Sequence, residues 1–342
     1  MRKAILLLSG GLDSTLAGKI LLDLGAVVEA VNFTSPFCNC TPKGAGCSAA
    51  RHAAEQLGVS VKMFACGREY LKVMKHPRFG RGSGMNACID CRIYMFSRAR
   101  EYMEERGFDF VATGEVLGER PMSQRKRAMD LIERESGLVG RIVRPLSAQH
   151  FPPSIPEQTG LIERSRLKGI RGRCRKPQLE LAQELGLADL PCPAGGCKLT
   201  QKDFAIKFGE LLENEPEFGL KDALLLRYGR HFRLPTGAKA VVGRREEENR
   251  IIERAASGKD AVLAPKKVPG PSVLVRRYRN ADDLRLAASI LAAYTKNAST
   301  MEVEVRNGGV QGVEGWVETV APMDRDVLET LKIGEKRTGV LV

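Results

Sequence analysis

No apolar run in the 342 residues approaches the ~18 that a membrane-spanning helix needs, and the apolar stretch after Met1-Arg2-Lys3 is too short for a secretory leader. A basic amphipathic helix with aromatic anchors is missing as well, so no membrane partner is expected and the cytoplasm is the expected location. Histidine is scarce: His52, His76, His150 and His231 stand far apart and read as surface or packing residues, not as catalytic bases. The glycine turn near the start, Ser9-Gly10-Gly11, is followed by no Gly-Lys-Ser/Thr and does not fit Gly-x-Gly-x-x-Gly. Kinase-like and dinucleotide-binding chemistry thereby lose their signatures. Beyond residue 215 there is no cysteine and no His/Asp pairing suited to catalysis, which leaves that half a binding role.

What is present is an ordinary soluble composition, 43% hydrophobic and 28% charged, with length enough for two domains that each bury a core. The balance of 54 Lys and Arg against 41 Asp and Glu, net +13, calls for a polyanionic partner, and nucleic acid is the expected one. Nine cysteines, an odd number, suit thiol chemistry or metal ligation better than a disulfide framework.

Ala4 to Leu8 reads as a strand, and Ser9-Gly10-Gly11-Leu12-Asp13-Ser14 as the tight turn that opens a helix over Thr15 to Leu24. Adjacent glycines let the backbone approach a ligand, and unpaired N–H groups of the first helical turn face it, which makes a phosphate socket. Strands at Ala26 to Phe33, Ser60 to Cys66, Phe108 to Gly114 and Arg141 to Leu146 alternate with helices. That pattern predicts an α/β domain, a doubly wound, mostly parallel sheet over residues 1–212. A smaller α+β domain is expected over 213–342, after the glycine-bounded stretch Glu215 to Lys221.

The hexapeptide Ser9 to Ser14 after a first strand resembles the PP-loop of the ATP pyrophosphatase family, enzymes that split ATP between the α and β phosphates. The resemblance implies that Ser9, Gly10, Gly11, Leu12 and Ser14 hold ATP and that Asp13 helps place Mg²⁺. It also implies that Phe33 meets the adenine. Gly84 to Phe96 resembles the Asn-Pro-x-x-x-Cys-Asn region of the tRNA 2-thiouridylases, with Cys91 at the motif cysteine. The proline after Asn86 is missing, and Cys88 is an added sulfur. An extra cysteine there is similar to the cluster-dependent tRNA thiolation enzymes, which carry a [4Fe-4S] centre on three cysteines. Thr113-Gly114 resembles the turn beside the nucleotide in the same thiouridylases, and Gly195-Gly196-Cys197 the loop that carries a catalytic cysteine. The resemblance thus implies Cys197 as the third ligand with Cys88 and Cys91, with Cys192 a second candidate for that place; without a cluster, Cys197 would carry a persulfide and Cys91 would be the resolving thiol.

Cys38, Cys40 and Cys47, with His52 beyond, have a loose spacing for zinc. Seven cations between Arg164 and Lys176 (Arg164, Arg166, Lys168, Arg171, Arg173, Arg175 and Lys176) would repel one another unless a phosphate backbone met them. Val241-Val242-Gly243-Arg244 with Glu248-Asn249 shortly after, then Pro269-Gly270-Pro271-Ser272 and Ala287 to Tyr294, resembles the RNA-binding module of the NFACT proteins, over roughly residues 225–320. Arg230, Arg233, Arg244, Arg276, Arg277 and Arg279 are the expected phosphate contacts, with Tyr278 or Phe232 stacking on a base. A second copy of the chain, in a homodimer, is the other partner that this half could serve.

The resemblances imply ATP-dependent thiolation of a uridine in RNA, most simply tRNA. The carbonyl oxygen is adenylated and then replaced by sulfur from a desulfurase, a persulfide carrier or free sulfide. Two other classes use parts of the same sequence: a PP-loop amide ligase or amidotransferase, which needs no cysteine triad, and a non-catalytic nucleotide- and RNA-binding protein.

Overall fold

The computed structural model describes residues 2–39, 47–187, 196–296, 299–308 and 316–335, so Cys40 and Cys192 lie outside the described residues. It divides after Thr200 into two compact units.

The first unit carries β1 (Lys3–Leu7), α1 (Leu12–Asp23), β2 (Val27–Thr34), α2 (Ser48–Leu57), β3 (Val61–Ala65), α3 (Arg68–Lys75), α4 (Cys88–Glu105), β4 (Phe110–Thr113), α5 (Lys126–Glu135), β5 (Ile142–Val143), the short α6 (Ile155–Gln158) and α7 (Lys176–Glu184). The five strands pair in the order β3-β2-β1-β4-β5 and every pairing is parallel. Because side chains alternate along a strand, β1 sends Ala4 and Leu6 to one face and Ile5 and Leu7 to the other. The first face packs on Leu16 and Leu21 of α1, Ala53 and Leu57 of α2, and Leu181 of α7. The second packs on Phe96, Ala99 and Met103 of α4 and Ile132 of α5. With both faces covered, β1 is continuous apolar sequence, which is the signal of a buried parallel strand.

The order has a consequence for position. The chain leaves β1 toward β2 and β3 and returns to β4 on the other side, so the crevice at the carboxyl ends of β1 and β4 is the switch point where such sheets bind ligands. Helices joining parallel strands run back, so α1 and α4 both begin at that edge. Gly10 with φ +79° and the start of α1 lie there, as do Thr113, Gly114 and the first turn of α4 with Cys88 and Cys91.

The second unit begins with α8 (Lys202–Asn214), a helix that the sequence pattern divides from it; Phe208 is fully buried and stacks edge-on against Phe218 at 5.8 Å. It continues with α9 (Leu220–Leu225), β6 (Arg230–Arg233), β7 (Lys239–Val242), α10 (Glu246–Ala255), β8 (Ala261–Pro265), β9 (Val273–Arg276), α11 (Ala281–Ala293), β10 (Met301–Gly308), β11 (Val317–Val320), α12 (Arg325–Leu331) and β12 (Lys332–Ile333). The strands form an antiparallel sheet in the order β11-β10-β8-β9-β7-β6-β12. Leu284, Ala287, Ala288 and Leu291 of α11 pack on one face, Ile252 of α10 on the other. No described helix in either unit is long and apolar enough to cross a membrane.

Candidate active site

Two glycines set the shape of the first turn. A Cβ on Gly10 would stand 2.4 Å from the backbone carbon of Ala49 and 2.5 Å from the nitrogen of Ala50, at the start of α2, and φ of +79° disfavours any L side chain. A Cβ on Gly114 would stand 2.4 Å from the carbonyl carbon and oxygen of Asp13. The turn after β4 therefore lies directly on the turn after β1, and Thr113 is buried beside Leu7 in register. Serine hydroxyls brace the loop. Ser14 Oγ donates to Gly11 O at 3.0 Å and accepts from the Ser9 N–H at 3.2 Å. The first bond of α1 is Thr15 N–H to Gly11 O, so the amides before it point out of the helix end, positive side first. Phe33 ends β2 at the same edge and stacks on Phe64 at 5.2 Å.

Asp13 is the charged member of this loop. Burial pushes its carboxyl up to about 6 and Glu119 adds to the rise, against the pull of Arg175, Arg120 and Gln178. Arg175 reaches Asp13 Oδ2 at 3.5 Å and Glu119 Oε1 at 3.4 Å. Asp13 Oδ1 and Glu119 Oε2 are buried and have no hydrogen-bond partner among the described residues. Two orphaned carboxylate oxygens beside a helix N-terminus are the donor set a hard divalent cation takes, so the residues fit Mg²⁺ and the phosphates it accompanies.

The thiols gather at the same edge. Met85 N–H donates to Leu199 O at 2.9 Å, and a Cβ on Gly84 would meet that oxygen at 2.4 Å, which ties the segment entering α4 to the Cys197 segment. Cys38 and Cys197 face each other in an isolated antiparallel bridge. Tyr70, fully enclosed, has its hydroxyl 3.2 Å from Cys91 Sγ, and Asn86 Nδ2 donates to Cys88 Sγ at 3.1 Å and reaches Met122 Sδ at 3.7 Å. Met122 belongs to the loop that follows Gly114, so that loop connects the phosphate turn to the sulfur cluster. Burial, then the Cys88 and Cys38 thiols, push Cys91 up to about 11 against Tyr70 and Arg92. Burial, then Cys91, and to a smaller degree Cys88 and Cys38, push Cys197 up to about 12 against its hydrogen bond to the Leu199 backbone. Cys66, after β3, is driven well above the usual thiol range by burial and then by Cys91 and Cys38.

Cys88, Cys91 and Cys197 are thus close enough to raise one another's thiols, and Cys38 and Cys66 belong to the same electrostatic group. Among the described residues no group of three His, Cys, Asp or Glu side chains closes on a single metal ion. Three thiols brought together are a sulfur donor set of the kind an iron–sulfur cluster takes. Cys47 is buried at the start of α2, and Cys192 and Cys40 lie outside the described residues.

Several cations have other tasks than those the sequence suggests. Arg175 belongs to Asp13, and Arg164 is held by Glu157 at 2.5 Å and by the carbonyls of Ala148 and Phe151. Arg171, Arg173 and Lys176 remain exposed. Glu115 is buried with Arg144 at 3.5 Å and Arg92 at 3.6 Å. In the second unit Phe232 is fully buried in the core and cannot stack on a base. Arg233 pairs with Glu210 and Glu215, Arg276 with Asp222 and Asp260, Arg244 with Glu248, and Arg230 lies over the Tyr294 ring at 4.4 Å. Tyr278 is packed against the core with its hydroxyl buried. Arg277, with φ +55°, is exposed but pairs with Glu215 at 3.3 Å, and Arg279 is exposed.

Residues 1–150 match the family model described as thiamine biosynthesis protein (ThiI). That match lies within the first unit. Residues 229–331 match the model described as NFACT protein RNA binding domain. A tRNA-specific 2-thiouridylase, MnmA of Chloroflexus aurantiacus, is 29% identical to this chain over 154 residues, 40% of this chain and 42% of that protein. The chain therefore spans less than half the length of the curated relative it matches. Among solved structures, a 4-thiouridine synthetase–RNA complex with bound ATP is similar at 22% identity and a TM-score of 0.38, over 66% of this chain and 52% of that one. The U34-tRNA thiolase NcsA of Methanococcus maripaludis with its [4Fe-4S] cluster is similar at 17% identity and a TM-score of 0.31, over 66% and 70%.

Proposed function

We propose that the chain is an ATP-dependent sulfurtransferase that replaces a uridine carbonyl oxygen by sulfur in RNA, with tRNA as the substrate. The observation that carries this reading is the meeting of Cys197 with Cys88 and Cys91 at the sheet edge that also holds the phosphate turn. A carbonyl oxygen does not leave as oxide. Once it bears AMP it leaves as a stabilised phosphate, and a sulfur nucleophile takes its place.

The outward amides of α1 and the turn at Gly10 and Gly11 would hold the β and γ phosphates as they leave the α phosphate together as pyrophosphate. Asp13 and Glu119 would hold Mg²⁺, which supplies charge neutralisation on the departing pyrophosphate. Arg175 keeps these two carboxylates compensated before the cation arrives. Cys88, Cys91 and Cys197 would hold a [4Fe-4S] cluster, whose fourth iron supplies a position for sulfide; in its absence Cys197 carries the sulfur as a persulfide. The second reading is supported by the thiol of Cys38 opposite Cys197. The second unit, from its NFACT-type match, would hold the RNA, with Arg277 and Arg279 of its exposed surface at phosphates.

An amide ligase explains the phosphate turn and leaves the five gathered thiols without a role. Mass spectrometry of nucleosides from cells lacking the protein tests the proposal. One missing thionucleoside is expected, and an unchanged nucleoside profile contradicts it.

A further inference from the structure

We propose that Cys38 is the resolving thiol for sulfur carried on Cys197, an inference that rests on the reading of Cys197 as a sulfur carrier. The backbone sets the pair. Asn39 N–H donates to Gly196 O at 3.0 Å and Lys198 N–H donates to Phe37 O at 2.7 Å. Bonds between the residues flanking 38 and 197, and none between the two themselves, define the closely spaced, non-hydrogen-bonded pair of an antiparallel bridge. In such pairs the opposed Cα atoms lie about 4.5 Å apart with side chains on the same side. That is within the range, roughly 4.4–6.8 Å, over which two cysteines close a disulfide without backbone movement.

The sulfur of Cys38 is also held in place, since the Ser35 N–H donates to it at 3.3 Å and the Ser35 hydroxyl lies 3.4 Å away. The other two thiols are fixed differently. Cys91 is tied to the Tyr70 hydroxyl and Cys88 to the Asn86 amide, both on the first turn of α4. Neither is opposed to Cys197 by strand register, and Cys38 is.

The step balances without an outside oxidant. A persulfide donor leaves Cys197 as Cys197-S-SH. The Cys38 thiolate attacks Cys197 Sγ, the bond from Cys197 Sγ to the outer sulfur breaks, and its electron pair departs with that sulfur as hydrosulfide. The new bond is a Cys38–Cys197 disulfide, which a dithiol then reduces to two thiols for the next cycle. The outer sulfur, formally at the zero level in the persulfide, leaves as sulfide at the place where a nucleophile is wanted.

The test uses the full chain, loaded anaerobically with polysulfide. Hydrosulfide release is measured, and peptides are mapped without reduction. Wild type is expected to release hydrosulfide and to yield a linked pair of peptides containing Cys38 and Cys197. Cys38→Ser is expected to release at least tenfold less and to keep one extra sulfur on Cys197. A Cys91–Cys197 link in wild type, or undiminished release from Cys38→Ser, overturns the assignment of Cys38 alone. If Cys197 takes up no sulfur in either protein, the carrier reading falls with it. Peptide mapping of wild type needs no variant, so a misfolded Cys38→Ser leaves that arm decisive.

Discussion

Asp13 is where charge and burial meet in a single side chain of the glycine turn. Its carboxyl, ordinarily at 3.8, titrates at about 6 because burial and then Glu119 oppose ionisation more than Arg175 favours it. A folded-state value above the unfolded one means that this group stabilises the cation-free fold fully below about 4, and that the contribution is lost as pH rises through about 6. Cation binding has the opposite sign, since only the ionised carboxylate is a ligand. Mg²⁺-dependent ATP binding is therefore expected to weaken as pH falls below about 6 and to level off above it, and calorimetric titration across pH 5–8 checks this. Asp13→Asn should abolish that dependence and lower release of AMP and pyrophosphate by about 10²–10³-fold, the usual cost of losing one electrostatic stabiliser. Gly114→Ala tests the contact between the two turns. Its Cβ cannot coexist with the Asp13 carbonyl, so a loss of about 1–3 kcal/mol from overpacking is expected together with weakened ATP binding. Thermal melts with and without ATP measure both.

Elements explain which parts of this site the sequence makes legible. β1, the glycine turn and α1 are readable because the apolar run, Gly10-Gly11 and the helical pattern fall in succession with no competing signal. The first turn of α4 is readable for a similar reason, since Cys88 and Cys91 open a long amphipathic pattern. The contacts between elements are not. Nothing in local sequence says that Arg175 leaves a basic run to reach Asp13, that Tyr70 of α3 meets Cys91, or that Cys38 opposes Cys197; each is a long-range pairing created by the sheet order. Cys66 has a weak signal, a cysteine just past a parallel strand. Phe232 misleads because a strand that alternates cation and aromatic reads like a stacking surface, whereas its ring faces α11. Phe232→Ala should accordingly destabilise the second unit by about 3–5 kcal/mol in a denaturant melt, the cost of an aromatic cavity, and not selectively weaken RNA binding. Arg175→Ala, in contrast to Arg173→Ala, is expected to act on ATP and Mg²⁺ affinity more than on RNA affinity.

For the whole molecule, the net charge of +13 is not spread as free cations, because many arginines are spent on internal ion pairs. Under the proposed function, RNA binding would then depend on fewer residues than composition suggests. Reversing Arg277 and Arg279 together to Glu in the full chain should lower RNA affinity about tenfold at low salt and flatten its salt dependence, since each lost phosphate contact removes a released counterion. Filter binding at several salt concentrations reads both.

The central claim is that Cys197, drawn to Cys88 and Cys91 beside the ATP turn, delivers sulfur to RNA. The most direct measurement supplies the full chain with ATP, Mg²⁺, unmodified tRNA and a sulfide or persulfide donor under anaerobic conditions, then digests the tRNA and weighs its nucleosides. The account predicts a thiouridine with wild type and none with Cys197→Ser. AMP and pyrophosphate formed with no thiolated nucleoside, or the same yield from Cys197→Ser, would contradict it.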